Sequence, residues 1–298
     1  MKPRRLQIGM WGGFRPEDWA RFGSEQISGM EISQFADREA VLQFRSFCRK
    51  EGLIFGIHTP LLGSRGYTLP RLTSPDPDER HEALRTAEKD VELAAESGAD
   101  YILFHYPFLP IFGEGDQVKY TNLPRQGQRY EPSDLSQTRF LEVSHRLFER
   151  LSELQHRYGQ KILLEHDFFG SYQDIVVRMF RDYREIDLVV DTARLDVAAR
   201  IADSFDPYQW LDEVAPSVYL VHYSNVRYAG DRFFNHQPVQ PWQDGHSDYG
   251  DAQAYLQHLA AHNSRFHVTF EHQAGSLSRE ELLSLYKQTS CLAGIEAP

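Results

Sequence analysis

Six short apolar runs in this chain each stop on a side chain that can bind a metal ion or move a proton. LIFGI stops on His58, YILF on His105, ILL on Glu165, LVV on Asp191, VYLV on His222 and FHVTF on Glu271. An isolated carboxylate at the end of a buried run costs more to desolvate than its apolar neighbours return, so each needs a partner. Brought together, Glu165, Asp191, Glu271 and His222 would make a mixed oxygen and nitrogen ligand set suited to Mn, Zn, Co or Mg. One divalent cation would also relieve the repulsion among three converging carboxylates. Such a centre can acidify a carbon-bound proton beside a carbonyl and pass it to a nearby carboxylate.

Those residues are far apart along the chain, so a particular set of elements must bring them together. Eight short runs rich in aliphatic, β-branched and aromatic residues recur, at Leu6 to Met10, Gly29 to Ser33, Leu53 to His58, Tyr101 to His105, Ile162 to Glu165, Leu188 to Asp191, Val218 to His222 and Phe266 to Glu271. Amphipathic stretches separate them, which is the rhythm of βα units around a parallel sheet, and eight units close a barrel. The C-terminal ends of barrel strands converge on one mouth, so the six polar residues are expected to face a common cavity. The clearest helices run from Pro77 to Ser97, after Ser74 and Pro75 and ending at Gly98, and from about Ser133 to Tyr158, closed by Gly159. In the second, Leu135, Phe140, Val143, Leu147, Leu151 and Leu154 recur at helical spacing and mark a packing face.

Two segments break the rhythm, at about 108–132 and 224–249, both rich in Gly, Pro, Asn, Gln and aromatic residues. Long excursions after barrel strands are usually functional loops. The first has the composition and length of a lid over the mouth. The second carries His236, Asp244, His246 and Asp248, which could complete a second metal site or hold the loop together by hydrogen bonds. Trp11, Phe108, Phe168 and Phe169 follow strands one, four and five and could wall a pocket with apolar ring faces.

With 298 residues and 41% hydrophobic content the chain can bury one large core, so 1–298 reads as a single (β/α)8 domain of the α/β class. A formal charge of -11 and a pI of about 5.6 oppose a polyphosphate backbone, which favours a small-molecule substrate over nucleic acid. Cys48 and Cys291 are far apart and outside any CxxC pair, so neither a disulfide framework nor a thiolate cage is expected, which fits a reducing cytoplasm. The basic MKPRR start is followed by only a short apolar run, and no later segment reaches the roughly 18 apolar residues of a membrane span. A cytoplasmic protein with no signal peptide and no membrane partner is the expectation.

Read in order, the strand-end motifs resemble the xylose isomerase-like barrel superfamily, which includes sugar isomerases and epimerases, inosose and dehydroshikimate dehydratases, and apurinic endonucleases. The pieces that carry the likeness are GMEIS, GIHTPL, ESGADYILFHYP, ILLEHD, VVDTARLD, YLVHYSN, DGHSDYGD and VTFEH, which span nearly the whole chain. The resemblance implies one divalent metal ion on Glu165, Asp191, His222 and Glu271. It also implies that Glu165 and Glu271 act as acid/base groups on opposite faces of a small sugar- or polyol-type carbonyl substrate. The reaction implied is isomerisation or epimerisation through an enediolate, or dehydration where a β-hydroxyl is lost instead. His58 and His105 fall on positions that bind substrate or, in the endonuclease branch, hold further metals.

The chain also departs from the family pattern. Many members read Asp-x-x-His after strand six, whereas here the segment is Asp191-Thr-Ala-Arg194, and an always-charged guanidinium cannot ligate a metal. Arg194 suits a carboxylate, phosphate or hydroxyl of a substrate, or a salt bridge to Asp196 or Asp167. Arg227 stands near a position where the epimerase branch places a substrate-binding arginine, and His246 in DGHSDYGD near a histidine that members often carry; both are expected at the substrate. Two other readings stay open: a zinc-dependent phosphodiesterase like the apurinic endonucleases, which Arg194 weakens, and a metal-binding barrel without activity. Dimers and tetramers are frequent in such families, so the resemblance is compatible with a homo-oligomer.

Overall fold

A computed structural model describes residues 4–63, 69–107, 135–201, 205–230, 232–272 and 275–295. Its strands are β1 (Leu6–Met10), β2 (Ile27–Ile32), β3 (Ile54–His58), β4 (Ile102–Tyr106), β5 (Ile162–His166), β6 (Asp187–Asp191), β7 (Val218–Tyr223), β8 (Asn225–Ala229), β9 (Arg232–Gln237) and β10 (His267–Phe270). Eight of these close a parallel barrel in the order β1-β10-β7-β6-β5-β4-β3-β2, and β8 and β9 form a separate antiparallel pair. All eight expected strands are present, with ends shifted by one or two residues; Glu271 lies just past β10. The helices between them are α1 (Pro16–Phe22), α2 (Arg38–Glu51), α3 (Pro77–Ser97), α4 (Gln137–Tyr158), α5 (Gln173–Asp182), α6 (Thr192–Ile201), α7 (Pro207–Val214), α8 (Ala252–His262) and α9 (Arg279–Ala293).

Barrel strands are buried on both faces, which is why they read as continuous apolar runs rather than alternating ones. Their outward residues pack with the helices in one large core that includes Leu6, Ile8, Ile57, Phe104, Leu164 and Val190. A second, smaller cluster of Tyr101, Leu103, Leu163, Val189 and Leu220 fills the barrel interior. Successive side chains on a strand alternate faces, so the residue two positions beyond each interior one also points inward. Two steps beyond Leu103, Leu163, Val189 and Leu220 stand His105, Glu165, Asp191 and His222. The apolar plug therefore forms the floor of the mouth, and the polar strand ends form the layer above it.

The helices start and stop where local chemistry dictates. Asp76 caps α3 by accepting from the backbone N–H groups of Asp78 and Glu79, ahead of Pro77 in the first turn. Ser136 caps α4, and its buried stripe of Phe140, Val143, Leu147, Leu151 and Leu154 matches the expected packing face. Ser278 and Glu281 form a reciprocal capping box on α9.

The segment expected to be a loop at 224–249 instead carries the β8–β9 hairpin, because alternating polar and apolar residues there pair across a turn at Gly230. The expected lid at 108–132, including Phe108, lies outside the described residues. Cys48 is buried and Cys291 exposed, both free. Among the described residues no helix is long and apolar enough to cross a membrane.

Candidate functional site

His222, at the end of β7, is completely buried, and three carboxylates surround its ring. Its Nδ1 lies 3.3 Å from Glu165 Oε1 and 3.2 Å from Glu271 Oε1, while Nε2 lies 3.0 Å from Glu31 Oε1. These contacts are close but out of line for hydrogen bonding: among the described residues, both His222 nitrogens, Glu31 Oε1 and Glu165 Oε2 are buried without a hydrogen-bond partner. Buried polar atoms are rarely left so, and several around one small space mark a place for an ion. The donor set of two or three carboxylates and an imidazole, desolvated and net negative, fits a divalent cation.

Glu165 joins this group to a second one. Its Oε2 lies 3.3 Å from His58 Nε2 and 3.1 Å from His105 Nε2. The His105 ring also meets Asp167 Oδ2 at 3.4 Å. Trp11 packs edge-on against the His58 ring at 5.1 Å, as a wall residue would. Phe169 instead stacks on Trp210 and meets Phe205 edge-on in the outer core.

Arg194 lies across the acidic side of the mouth. Its guanidinium is 3.2 Å from Glu165 Oε1, 3.4 Å from Asp191 Oδ2 and 3.6 Å from Asp167 Oδ1, and Nη1 lies 3.1 Å from His105 Nδ1. Of the two structural partners expected for it, Asp167 is present and Asp196 is not. Asp196 instead pairs with Arg200 at 3.1 Å and accepts from the hydroxyls of Tyr228 and Tyr255. Asp191 is also occupied differently from expectation. Its Oδ1 accepts the backbone N–H groups of Ala193 and Arg194 at the start of α6, leaving Oδ2 to face Arg194. Thus Glu165 and Glu271 both meet His222, and Asp191 is connected to Glu165 through the Arg194 guanidinium.

The electrostatics follow from this crowding. Burial would raise the pKa of Glu165, but Arg194, His105 and His222 overcome it and hold the carboxyl well below its ordinary range. Glu271 is driven the other way by burial, against His222 and with help from Asp191, Glu165 and Glu31, so its carboxyl lies well above the usual value. Burial opposes protonation of His222, yet Glu271, Glu31 and Glu165 together raise its pKa well above that of free imidazole.

Several members of the site carry no strand-end signal. Glu31 sits inside β2, paired in register with Gly9 and Gly56, and accepts from the Tyr101 hydroxyl at 2.5 Å. An acid inside an otherwise apolar strand was the available clue. His166 faces the opposite side of β5 from Glu165, and its Nε2 accepts the Asp191 backbone N–H at 3.1 Å, anchoring the end of β6. His236, on β9, has φ of 57° and is near enough to Asp191 and Arg194 to feel both, while burial lowers its pKa.

Arg227 and His246 do not join the group. Arg227 is exposed, with its guanidinium 4.7 Å over the Phe234 ring of the same hairpin. His246 is exposed and packs with Trp242 and Tyr249, while its Nδ1 accepts from Asp248 N–H. Asp244 is held back near the start of α8, where Gln253 and Ala254 N–H groups bond it. Local hydrogen bonds thus hold His246 to Asp248, while among the described residues Asp244 Oδ1 and His236 Nδ1 are buried without a hydrogen-bond partner. A concavity of about 1350 Å3 lies elsewhere, at the N-terminal ends of the strands around Leu53, Asp100, Lys161, Asp187 and His267, and none of Glu31, Glu165, His222 and Glu271 lines it.

The sequence matches the xylose isomerase-like TIM barrel family over residues 20–288. The chain belongs to that family. Solved xylose isomerase-like barrels share its architecture at low identity. The TTHB071 protein from Thermus thermophilus, in crystals soaked with ZnCl2, is 19% identical with a TM-score of 0.63, covering 98% of this chain and 99% of that one. The 3-keto-D-glucoside 4-epimerase of E. coli is 13% identical with a TM-score of 0.63, covering 97% and 99%. An IOLI protein with a bound zinc atom is 13% identical with a TM-score of 0.65, covering 99% and 100%. Among curated proteins none matches the sequence.

Proposed function

We propose that this barrel is a divalent-metal-dependent isomerase or epimerase, or a related dehydratase, acting on a small sugar- or polyol-type carbonyl compound. The observation that carries this reading is the convergence of Glu165 and Glu271, from β5 and just past β10, on one nitrogen of His222 at 3.3 and 3.2 Å. Glu165, Asp191, His222 and Glu271 would hold the metal, with Zn, Mn, Co and Mg all compatible with the donors. When bound, the metal supplies Lewis-acid polarisation of adjacent carbonyl and hydroxyl oxygens.

The chain's own residues account for the remaining steps. One of the two glutamates takes the carbon-bound proton beside the carbonyl, giving an enediolate, and the other returns a proton to the opposite face. Arg194 orients Glu165 and offers a fixed positive charge to developing oxyanion character. His58 and His105 line the same side as Glu165 and donate to substrate hydroxyls. Trp11 gives a carbon face to pack against. Epimerases and zinc-bearing proteins among the similar barrels support this reading.

The phosphodiesterase alternative has one feature in its favour, the grouping of His58, His105 and Glu165 as a second ligand cluster. Arg194 counts against it, since its guanidinium sits on Glu165 and Asp167, where further cations would have to bind. The deciding experiment begins with elemental analysis of freshly purified protein. A screen of ketoses, inososes and shikimate-type acids in deuterated water follows, with the metal restored. Turnover with deuterium entering the substrate carbon is expected, and Glu271→Gln should abolish it while the fold persists. Full activity in Glu271→Gln would remove that residue from the chemistry. Three metal ions per chain with cleavage of abasic DNA would replace this reading by the nuclease one.

A further inference from the structure

Another group of ligating side chains stands outside the barrel, on the packed helices α7 and α8. Asp212 belongs to α7, and His258 and His262 lie one turn apart on α8, so both rings leave the same helix face. His258 Nε2 is 2.7 Å from Asp212 Oδ1, His262 Nε2 is 3.6 Å from the same oxygen, and the two ring centroids are 4.7 Å apart. One ligand atom from each residue lies within 4.8 Å of the other two.

Two features distinguish this group from an ordinary surface ion pair. His262 Nδ1 lies 2.8 Å from the backbone carbonyl of His258, an acceptor, so the proton of the neutral ring is on Nδ1. That leaves the Nε2 lone pair of the neutral ring on the side of Asp212 Oδ1, at a separation of 3.6 Å that one bound cation would bridge. A backbone carbonyl holding the far nitrogen is also the arrangement that fixes the tautomer of metal-binding histidines. The second feature is access. Side-chain exposures of 25% for His258, 48% for His262 and 51% for Asp212 let an ion enter without opening the fold and leave room for water to complete its coordination.

We propose that Asp212, His258 and His262 form a separate transition-metal site that takes Zn2+ and staples α7 to α8. Two imidazoles with one carboxylate select zinc over magnesium or calcium, whose preferred ligands are all oxygen. Because α7 leads into β7 and α8 leads into β10, an ion there holds together the two units that carry His222 and Glu271.

The test is titration of metal-free protein with ZnCl2 at neutral pH, read by calorimetry and by the thermal midpoint. Wild type is expected to bind two equivalents, and Asp212→Asn and His262→Gln should each bind one fewer and lose the same part of the thermal gain. Asp212→Asn keeps an acceptor for His258, so its loss of zinc reports ligation and not a broken helix contact. Asp191→Asn should retain this class of binding. If the mouth holds no metal, wild type binds one equivalent that disappears in His262→Gln and survives in Asp191→Asn, which supports the α7–α8 site while removing the mouth centre. Zinc binding in both Asp212→Asn and His262→Gln equal to wild type overturns the proposal.

Discussion

Glu31 of β2 and His222 of β7 face each other inside the barrel mouth, past the intervening β1 and β10, with Glu31 Oε1 3.0 Å from His222 Nε2. The other nitrogen of the same ring faces Glu165 and Glu271. One imidazole thus stands between an orienting carboxylate and two that can share a cation, and Tyr101 in turn holds Glu31 through its hydroxyl. Metal-binding histidines are commonly backed by a carboxylate at the far ring nitrogen, and here that contact is electrostatic and not an aligned hydrogen bond.

Replacing that carboxylate tests its role. Glu31→Gln keeps an acceptor for Tyr101 but removes the charge behind His222, and metal affinity should fall roughly 10- to 100-fold, as measured by competition with a chelating dye. Unchanged affinity would reduce Glu31 to a packing residue.

Asp191→Asn separates the two duties of Asp191. The amide oxygen can still accept from the N–H groups of Ala193 and Arg194, so α6 should remain capped. Metal content should nevertheless drop, and with it the stabilisation that any ligand bound only by the native state confers. A metal content equal to wild type would show that Asp191 serves only Arg194 and the helix.

Gly56 stands where β3 passes the Tyr101 ring, and an added Cβ would fall 2.0 Å from Tyr101 Cζ. Gly56→Ala should therefore displace Tyr101 from Glu31 and destabilise the barrel by about 1 to 3 kcal/mol or more, seen as a lowered denaturation midpoint. The double variant Gly56→Ala/Tyr101→Phe should be no more stable, because the ring and not the hydroxyl meets the new methyl. Wild-type stability in Gly56→Ala would mean that β3 and the ring can part without cost.

Asp90 is mostly buried, and burial outweighs its bond from Leu61 N–H to raise its pKa from 3.8 to about 6. An acid raised on folding binds its proton more tightly in the native state. Its favourable contribution is full below about pH 3.8 and is lost as pH rises through about 6. Asp90→Asn keeps the acceptor and removes the titration, so it should become more stable than wild type above that window, by on the order of 1 to 2 kcal/mol after allowing for solvent screening. Urea midpoints of both proteins across the window check this; a constant difference with pH would assign the effect to something other than ionisation.

Much of the architecture is legible in the residue pattern because a barrel strand buried on both faces must be an unbroken apolar run, and a charge that ends such a run is conspicuous. His58, His105, Glu165, Asp191, His222 and Glu271 announce themselves in this way. Strand alternation then aims them inward, two steps beyond the interior Leu103, Leu163, Val189 and Leu220. Glu31 is less conspicuous because it sits within its run, and its meeting with His222 exists only once β1, β2 and β10 close the circle. Arg227 and His246 show the reverse, positions that the chain spacing could not place. Their distance along the chain from β7 suits the mouth, but pairing of β8 with β9 turns Arg227 onto Phe234, and local hydrogen bonds hold His246 at the surface.

By itself the sequence determined the number of barrel strands, the polar layer at their ends and the arginine in place of a histidine, since these follow from burial and chemistry residue by residue. Only the tertiary structure decided that Glu165, His222 and Glu271 meet while Asp191 is shared with Arg194, and that Glu31 stands behind the imidazole. Those relations depend on strand register and side-chain direction across a closed sheet, where a shift of one residue would send every polar group to the other face.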